Sequence, residues 1–140
     1  MKPLHDLAAL QAGIAAGTVR MHIKLARRNR LVELLGDDYM ETVNKICRQL
    51  KSGDFCGSWP DGNPQRASFA DVYGIMRDAA GERSEEEYAW YVKFGVRPET
   101  SNCDKFVLSF HPTGSLRLLD NTELRSTVID EDDFAEEDDG

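Results

Sequence analysis

The chain of 140 residues is poor in the groups from which most catalytic and metal sites are built. It has three cysteines, Cys47, Cys56 and Cys103, and three histidines, at 5, 22 and 111. The cysteines have no C-x-x-C spacing and do not neighbour the histidines, which argues against a structural zinc site, and nothing in their number or placement calls for a disulfide framework. The expectation is reduced, mostly buried thiols. A Gly-rich phosphate loop, a G-x-S-x-G elbow, an H-E-x-x-H pair and an EF-hand ligand pattern are all missing. His111, beside Pro112, reads as a turn-flanking residue on the outer face of a strand. These absences favour a protein that is not an enzyme and that needs no metal and no cofactor. No apolar run approaches the roughly 20 residues that cross a bilayer, and Met-Lys-Pro-Leu-His-Asp carries no signal-peptide core, so a cytoplasmic protein without membrane contact is expected.

What the chain has in excess is carboxylate, in one place. Asp130, Glu131, Asp132, Asp133, Glu136, Glu137, Asp138 and Asp139 put eight acids into ten positions, interrupted only by Phe134 and Ala135. Taking these eight from the 25 acidic residues leaves 17, which matches the 17 lysines and arginines. The formal charge of −8 therefore belongs to the tail. The reading that follows is one globular domain over 1–129 and a disordered acidic tail over 130–140. With 41% hydrophobic residues, a domain of this size buries roughly two-thirds of its unfolded surface without staples.

The hydrophobic pattern predicts an α+β fold, with N-terminal helices followed by a three-stranded antiparallel meander. Leu4 to Ala12 reads as a helix, with Pro3 suited to its first turn, before Gly13 and Gly17 loosen the backbone. Residues 18 to 25 are ambiguous. Val19, Met21, Ile23 and Leu25 alternate as in a strand, whereas Val19, Ile23 and Ala26 form a helical stripe running on to Leu34. Asp38 and Glu41 have capping-box spacing, and Met40, Val43, Cys47 and Leu50 predict a helix over 39–51. Ser52 to Arg66 reads as a long loop, with a turn at Pro60-Asp61-Gly62. Phe69, Val72, Tyr73 and Met76, preceded by Ser68, predict a second helix ended by Gly81. Tyr88, Trp90, Val92, Phe94 and Val96 recur at period two and predict a strand over 88–96; a short helix capped by Ser84 and Glu87 is the rival. Residues 106–110 and 116–119 read as a hairpin around His111-Pro112-Thr113-Gly114-Ser115, with a short edge strand over 125–129.

Arg20, Lys24, Arg27, Arg28 and Arg30, with His22, form a basic segment suited to phosphates. Leu7 to His22 resembles the helix-turn-helix that ends many bacterial response regulators, with Ala9, Gly13 and Val19 in the small, turn and packing positions and Thr18-Val19-Arg20 opening the recognition helix. The resemblance implies that Arg20, Lys24 and Arg27 face DNA, with the second helix in the major groove. It covers about a tenth of the chain, lacks the usual larger apolar residue at Ala12, and leaves no room for the helix that normally precedes it.

Two functional expectations stand beside each other. In the first, a small interaction protein uses the tail as a DNA mimic in the basic groove of a nucleic-acid-handling host protein, as inhibitors or accessory factors of phages and plasmids do. An extended chain advances about 3.3 to 3.6 Å per residue, close to the roughly 3.4 Å between phosphates along a DNA strand, and Phe134 supplies an apolar anchor. In the second, the segment 20–30 binds DNA and the tail folds back on it. An enzyme built on the loop at 52–67, through Asp54, Cys56 or Asp61, rests on loop length alone. Partner identity and oligomeric state are not written in the sequence.

Overall fold

The computed structural model describes Pro3 and residues 6–16, 25–60, 69–96 and 106–128. The fold is α+β. Three helices, α1 (Leu7–Ala16), α2 (Leu25–Leu35) and α3 (Tyr39–Gln49), precede a short 3-10 turn at Ser52–Asp54. Strands β1 (Phe55–Pro60), β2 (Phe69–Arg77), β3 (Tyr88–Val96) and β4 (Phe106–Thr113) then make an antiparallel sheet in the order β1-β2-β3-β4. A hairpin of β5 (Ser115–Arg117) and β6 (Glu123–Arg125) forms a separate two-stranded ladder.

One face of the sheet is covered by the helices. Leu10, Ile14, Leu31, Val43, Ile46, Cys47 and Leu50 pack there against Phe55, Tyr73, Ile75, Trp90, Val92, Phe94 and Phe110. Helix α3 lies on this face because Val43, Ile46, Cys47 and Leu50 recur at three- and four-residue intervals. Its C-terminal carbonyls are closed by α1, since Gln11 Nε2 donates to the backbone oxygens of Cys47, Arg48 and Leu50. The predicted Asp38 capping box does not form; Asp38 makes no side-chain cap bond.

The opposite face is covered by the hairpin. Cys56, Val72 and Leu118 are buried there, with Tyr91 and Leu124 packed against them. Gly74 makes this approach possible, because a Cβ at that position would lie 2.9 Å from Leu116 Cδ1 and 3.2 Å from Leu124 Cδ1.

Several expectations are corrected by this arrangement. Residues 69–77 form a strand rather than a helix. Tyr73 and Ile75 face the helices while Val72 and Gly74 face the hairpin, so β2 is apolar on both sides and its period of two is masked. Gly81 ends no helix; it takes φ +77° in the β2–β3 connection, where Asp78 Oδ1 accepts from the amides of Ala80 and Glu82 at 2.9 Å each. The segment read as a long loop contains β1, so the meander has four strands. Strand β4 runs on through His111, Pro112 and Thr113, and the bend at Gly114 leads into β5, which pairs with β6 rather than with β4. The edge strand falls at 123–125, slightly before the expected position.

Strand β3 lies over the expected residues. The Ser84–Glu87 pair forms without a helix: Glu87 Oε2 accepts the Ser84 amide at 3.0 Å and Arg83 Nε at 2.9 Å. No helix among the described residues is long and apolar enough to cross a membrane.

Candidate anion-binding cleft

Where α3 ends and β2 runs out, the fold leaves a cleft of about 280 Å³ lined by Gln49, Lys51, Asp54, Ile75, Met76, Arg77, Arg83 and Leu124. The elements that make it come from four parts of the chain. Helix α3 delivers Gln49 with its last residue, the 3-10 turn delivers Asp54, β2 delivers Arg77 with its last residue, and β6 closes one side with Leu124.

Arg77 is held in place from two directions. Its Nε donates to Gln49 Oε1 and its Nη1 to the Met76 carbonyl at 2.6 Å, while Gln49 Nε2 donates to the Gly81 carbonyl at 2.9 Å. The backbone at Arg77 is pinned as well, because its carbonyl accepts the Trp90 indole N–H at 2.9 Å. Arg83 is oriented by its ion pair with Glu87, whose side chain is nearly buried. Lys51 is exposed and reaches the cleft from the turn that follows α3. Three cationic side chains thus line a cleft that holds one carboxylate, Asp54, and Ile75, Met76 and Leu124 give it an apolar wall. Arg77 Nε and Nη1 and Arg83 Nε are engaged within the domain, so the donors such a surface offers to a carboxylate or phosphate are the Lys51 ammonium and the remaining guanidinium N–H groups.

The Asp54 carboxyl is raised from its ordinary pKa. Burial disfavours its charged form, and this outweighs the hydrogen bond from the Lys51 amide and the charges of Arg77 and Lys51, which act the other way. A carboxyl raised in this way binds its proton more tightly in the folded than in the unfolded chain. Its contribution to stability is full below the unfolded value of about 4 and is lost as pH rises through the folded value. Asp54→Asn, which keeps an oxygen to accept the Lys51 N–H, is therefore expected to raise the urea midpoint at neutral pH and to leave it unchanged near about pH 3. A variant less stable than the parent at neutral pH would contradict this assignment.

The residues singled out from sequence are distributed otherwise. Asp130, Glu131, Asp132, Asp133, Phe134, Glu136, Glu137, Asp138 and Asp139 lie outside the described residues, as do Arg20, His22, Lys24, Asp61 and Cys103. Arg27 falls in α2, and Arg28 and Arg30 are exposed on the same helix. Helix α1 continues through Gly13 to Ala16, so the turn that the helix-turn-helix resemblance places at Gly13 is not formed. Of the three residues named for an enzyme at 52–67, Asp54 reaches the cleft and Cys56 does not. Cys56 is buried beneath the hairpin, and its thiol, like that of Cys47, is pushed up to about 12 by burial, which leaves both unreactive at neutral pH.

His111 is not a turn residue on an exposed face. It is buried in the middle of β4, opposite Tyr91, with ring centroids 4.7 Å apart and planes 22° from parallel. Among the described residues no group of three or more His, Cys, Asp or Glu side chains is placed to hold a metal ion.

Sequence reasoning missed Lys51, Arg77 and Arg83 altogether. Their spacing carries no signal, because the cleft depends on β2 being a strand that ends beside the C-terminus of α3. No protein-family model, curated protein or solved structure matches the chain.

Proposed function

We propose that this chain is a small non-enzymatic binding protein, an inhibitor or accessory factor of the phage or mobile-element type, whose segment 130–139 occupies the basic groove of a nucleic-acid-handling host protein. The observation that carries this reading is the segregation of charge. Eight carboxylates in ten positions account for the formal charge of −8, and the other 130 residues balance. A uniformly acidic surface would serve solubility; a dense anionic peptide competes for sites that bind a phosphate backbone. Carboxylates on an extended peptide fall at nearly the spacing of phosphates along one DNA strand, about 3.4 Å. Phe134 breaks the acidic run with a group able to fill an apolar pocket beside such a groove.

The test is capture of the partner from the native host by the full chain and by a chain lacking residues 130–140. The deletion is expected to weaken capture roughly tenfold or more, and capture by the full chain is expected to fall steeply with salt and to be displaced by duplex DNA. Capture that survives the deletion unchanged and shows no salt dependence would remove the reading.

The alternative, a DNA-binding regulator using Arg20 to Arg30, has in its favour the exposure of Arg28 and Arg30 on α2. The continuity of α1 through Gly13 weighs against the helix-turn-helix form of it.

A further inference from the structure

We infer that the cleft of Lys51, Arg77 and Arg83 is a binding site for an acidic peptide, and that its occupant in the free protein is the chain's own segment 130–139. This builds on the reading of that segment as the partner-binding element, and adds that the domain itself holds it when no partner is present.

Charge is the first support. Three cations line the cleft, of which Arg83 is paired with Glu87, and the one lining carboxylate is Asp54; Lys51 and Arg77 therefore supply the charge that the eight carboxylates of the segment can meet. Phe134 matches the apolar wall that Ile75, Met76 and Leu124 supply.

The second support is where the segment is rooted. The Ser126 amide donates to the Gly114 carbonyl at 2.9 Å, the Thr127 amide to the Glu87 carbonyl at 2.8 Å, and the Glu87 amide to Thr127 Oγ1 at 2.8 Å. Glu87 in turn holds Arg83, one of the cleft cations, through its carboxylate. The described chain thus ends one residue after Thr127, which is bound to the residue that pairs with Arg83, and Leu124, only six positions before Asp130, is part of the cleft wall. Six residues reach at most about 20 Å, so the first carboxylates cannot stray far from the three cations.

Tethering does the rest. A short linker gives an effective concentration of order millimolar, so even a contact that would bind at only millimolar strength between separate molecules keeps the cleft occupied about half the time. A partner with a longer basic groove then competes for the segment, and the domain sets a threshold that weakly basic surfaces do not pass.

The test uses the full 140-residue protein, isotopically labelled, with its amide resonances and the arginine Nε–H signals followed between about 50 and 500 mM sodium chloride, across which the Debye length shrinks severalfold. The signals of 130–139 and those of Lys51, Arg77 and Arg83 are expected to shift together with salt. Lys51→Glu is expected to reduce the bound population roughly fivefold and Lys51→Gln by less, as for the loss or reversal of one exposed ion pair. Arg28→Glu is expected to leave it unchanged.

Shifts of 130–139 that are the same in the parent and in both Lys51 variants would overturn the inference, as would a response to Arg28→Glu alone. Loss of the coupled shifts on tenfold dilution would also overturn it, by assigning the occupant to a second copy of the chain. The two ideas fail separately. Coupled shifts with partner capture that ignores the deletion of 130–140 would leave the cleft assignment standing and remove the proposed function; the reverse pattern would do the opposite.

Discussion

Trp90→Ala is expected to destabilise the protein by about 3–5 kcal/mol, the range found when a large buried aromatic is truncated. Trp90 is completely buried in β3, where it stacks on Phe110 with centroids 4.8 Å apart and planes 23° from parallel, and packs at 5.4 Å against Tyr88. The indole also closes the end of β2, since its N–H bonds the Arg77 carbonyl. Alanine therefore removes packing from Tyr88 on the same strand and Phe110 on β4, and leaves the part-buried Arg77 carbonyl without that donor. With a urea dependence of about 1–3 kcal/mol per molar, the midpoint is expected to fall by roughly 2 M. Trp90→Phe restores the ring but not the N–H, and is expected to recover more than half of the loss. A fall of less than about 1 kcal/mol for alanine, followed by circular dichroism in urea, would contradict the packing described for this position.

Ser126→Ala is expected to cost about 2–4 kcal/mol, which is large for the loss of one oxygen near a chain end. The size follows from what the hydroxyl joins. Ser126 Oγ accepts the Ala89 amide at 2.6 Å and donates to the Thr113 carbonyl at 2.5 Å, tying the start of β3, the end of β4 and the segment after β6 at one buried point. Without it the Ala89 amide loses this acceptor and the Thr113 carbonyl this donor where little water reaches, at about 1–3 kcal/mol for each bond lost at a buried group. Hydrogen exchange gives the sharper reading. The Ala89 amide is expected to exchange faster in the variant by more than the global loss of stability explains, while the amide of Val92, further along β3, follows the global change. Ser126→Thr, which retains the hydroxyl, separates loss of the bonds from loss of volume.

Parts of this fold were legible in the sequence because only one of their faces meets the core. Helix α3 places Val43, Ile46, Cys47 and Leu50 inward and Glu41 and Arg48 outward, so the helical period stands out. The aromatic and β-branched residues of β3 made that strand clear, although Tyr91 and Lys93 on its other face are also shielded. Strand β2 defeated the same reasoning. With Tyr73 and Ile75 under the helices and Val72 and Gly74 under the hairpin, both faces carry apolar residues, and the one acid in the run, Asp71, is itself buried and marks no solvent face; Val72, Tyr73 and Met76 fell by coincidence at helical intervals. At His111-Pro112-Thr113 the turn-forming residues suggested a hairpin between 106–110 and 116–119 that does not form; the chain stays in β4 there, because proline is tolerated in an edge strand, and 115–117 pair with 123–125 instead. The cleft was illegible for a related reason: Lys51, Arg77 and Arg83 meet only once β2 is correctly placed beside the end of α3.

The hairpin that covers the second face of the sheet also decides what a shortened chain would look like. All four strands of the meander precede Gly114, so a product that stops there carries the whole sheet but lacks Leu116, Leu118 and Leu124, and leaves Cys56, Val72 and Tyr91 on a bare face. Such a product would present a sticky apolar surface to chaperones or to another copy of itself, with no acidic segment to keep it apart from its neighbours.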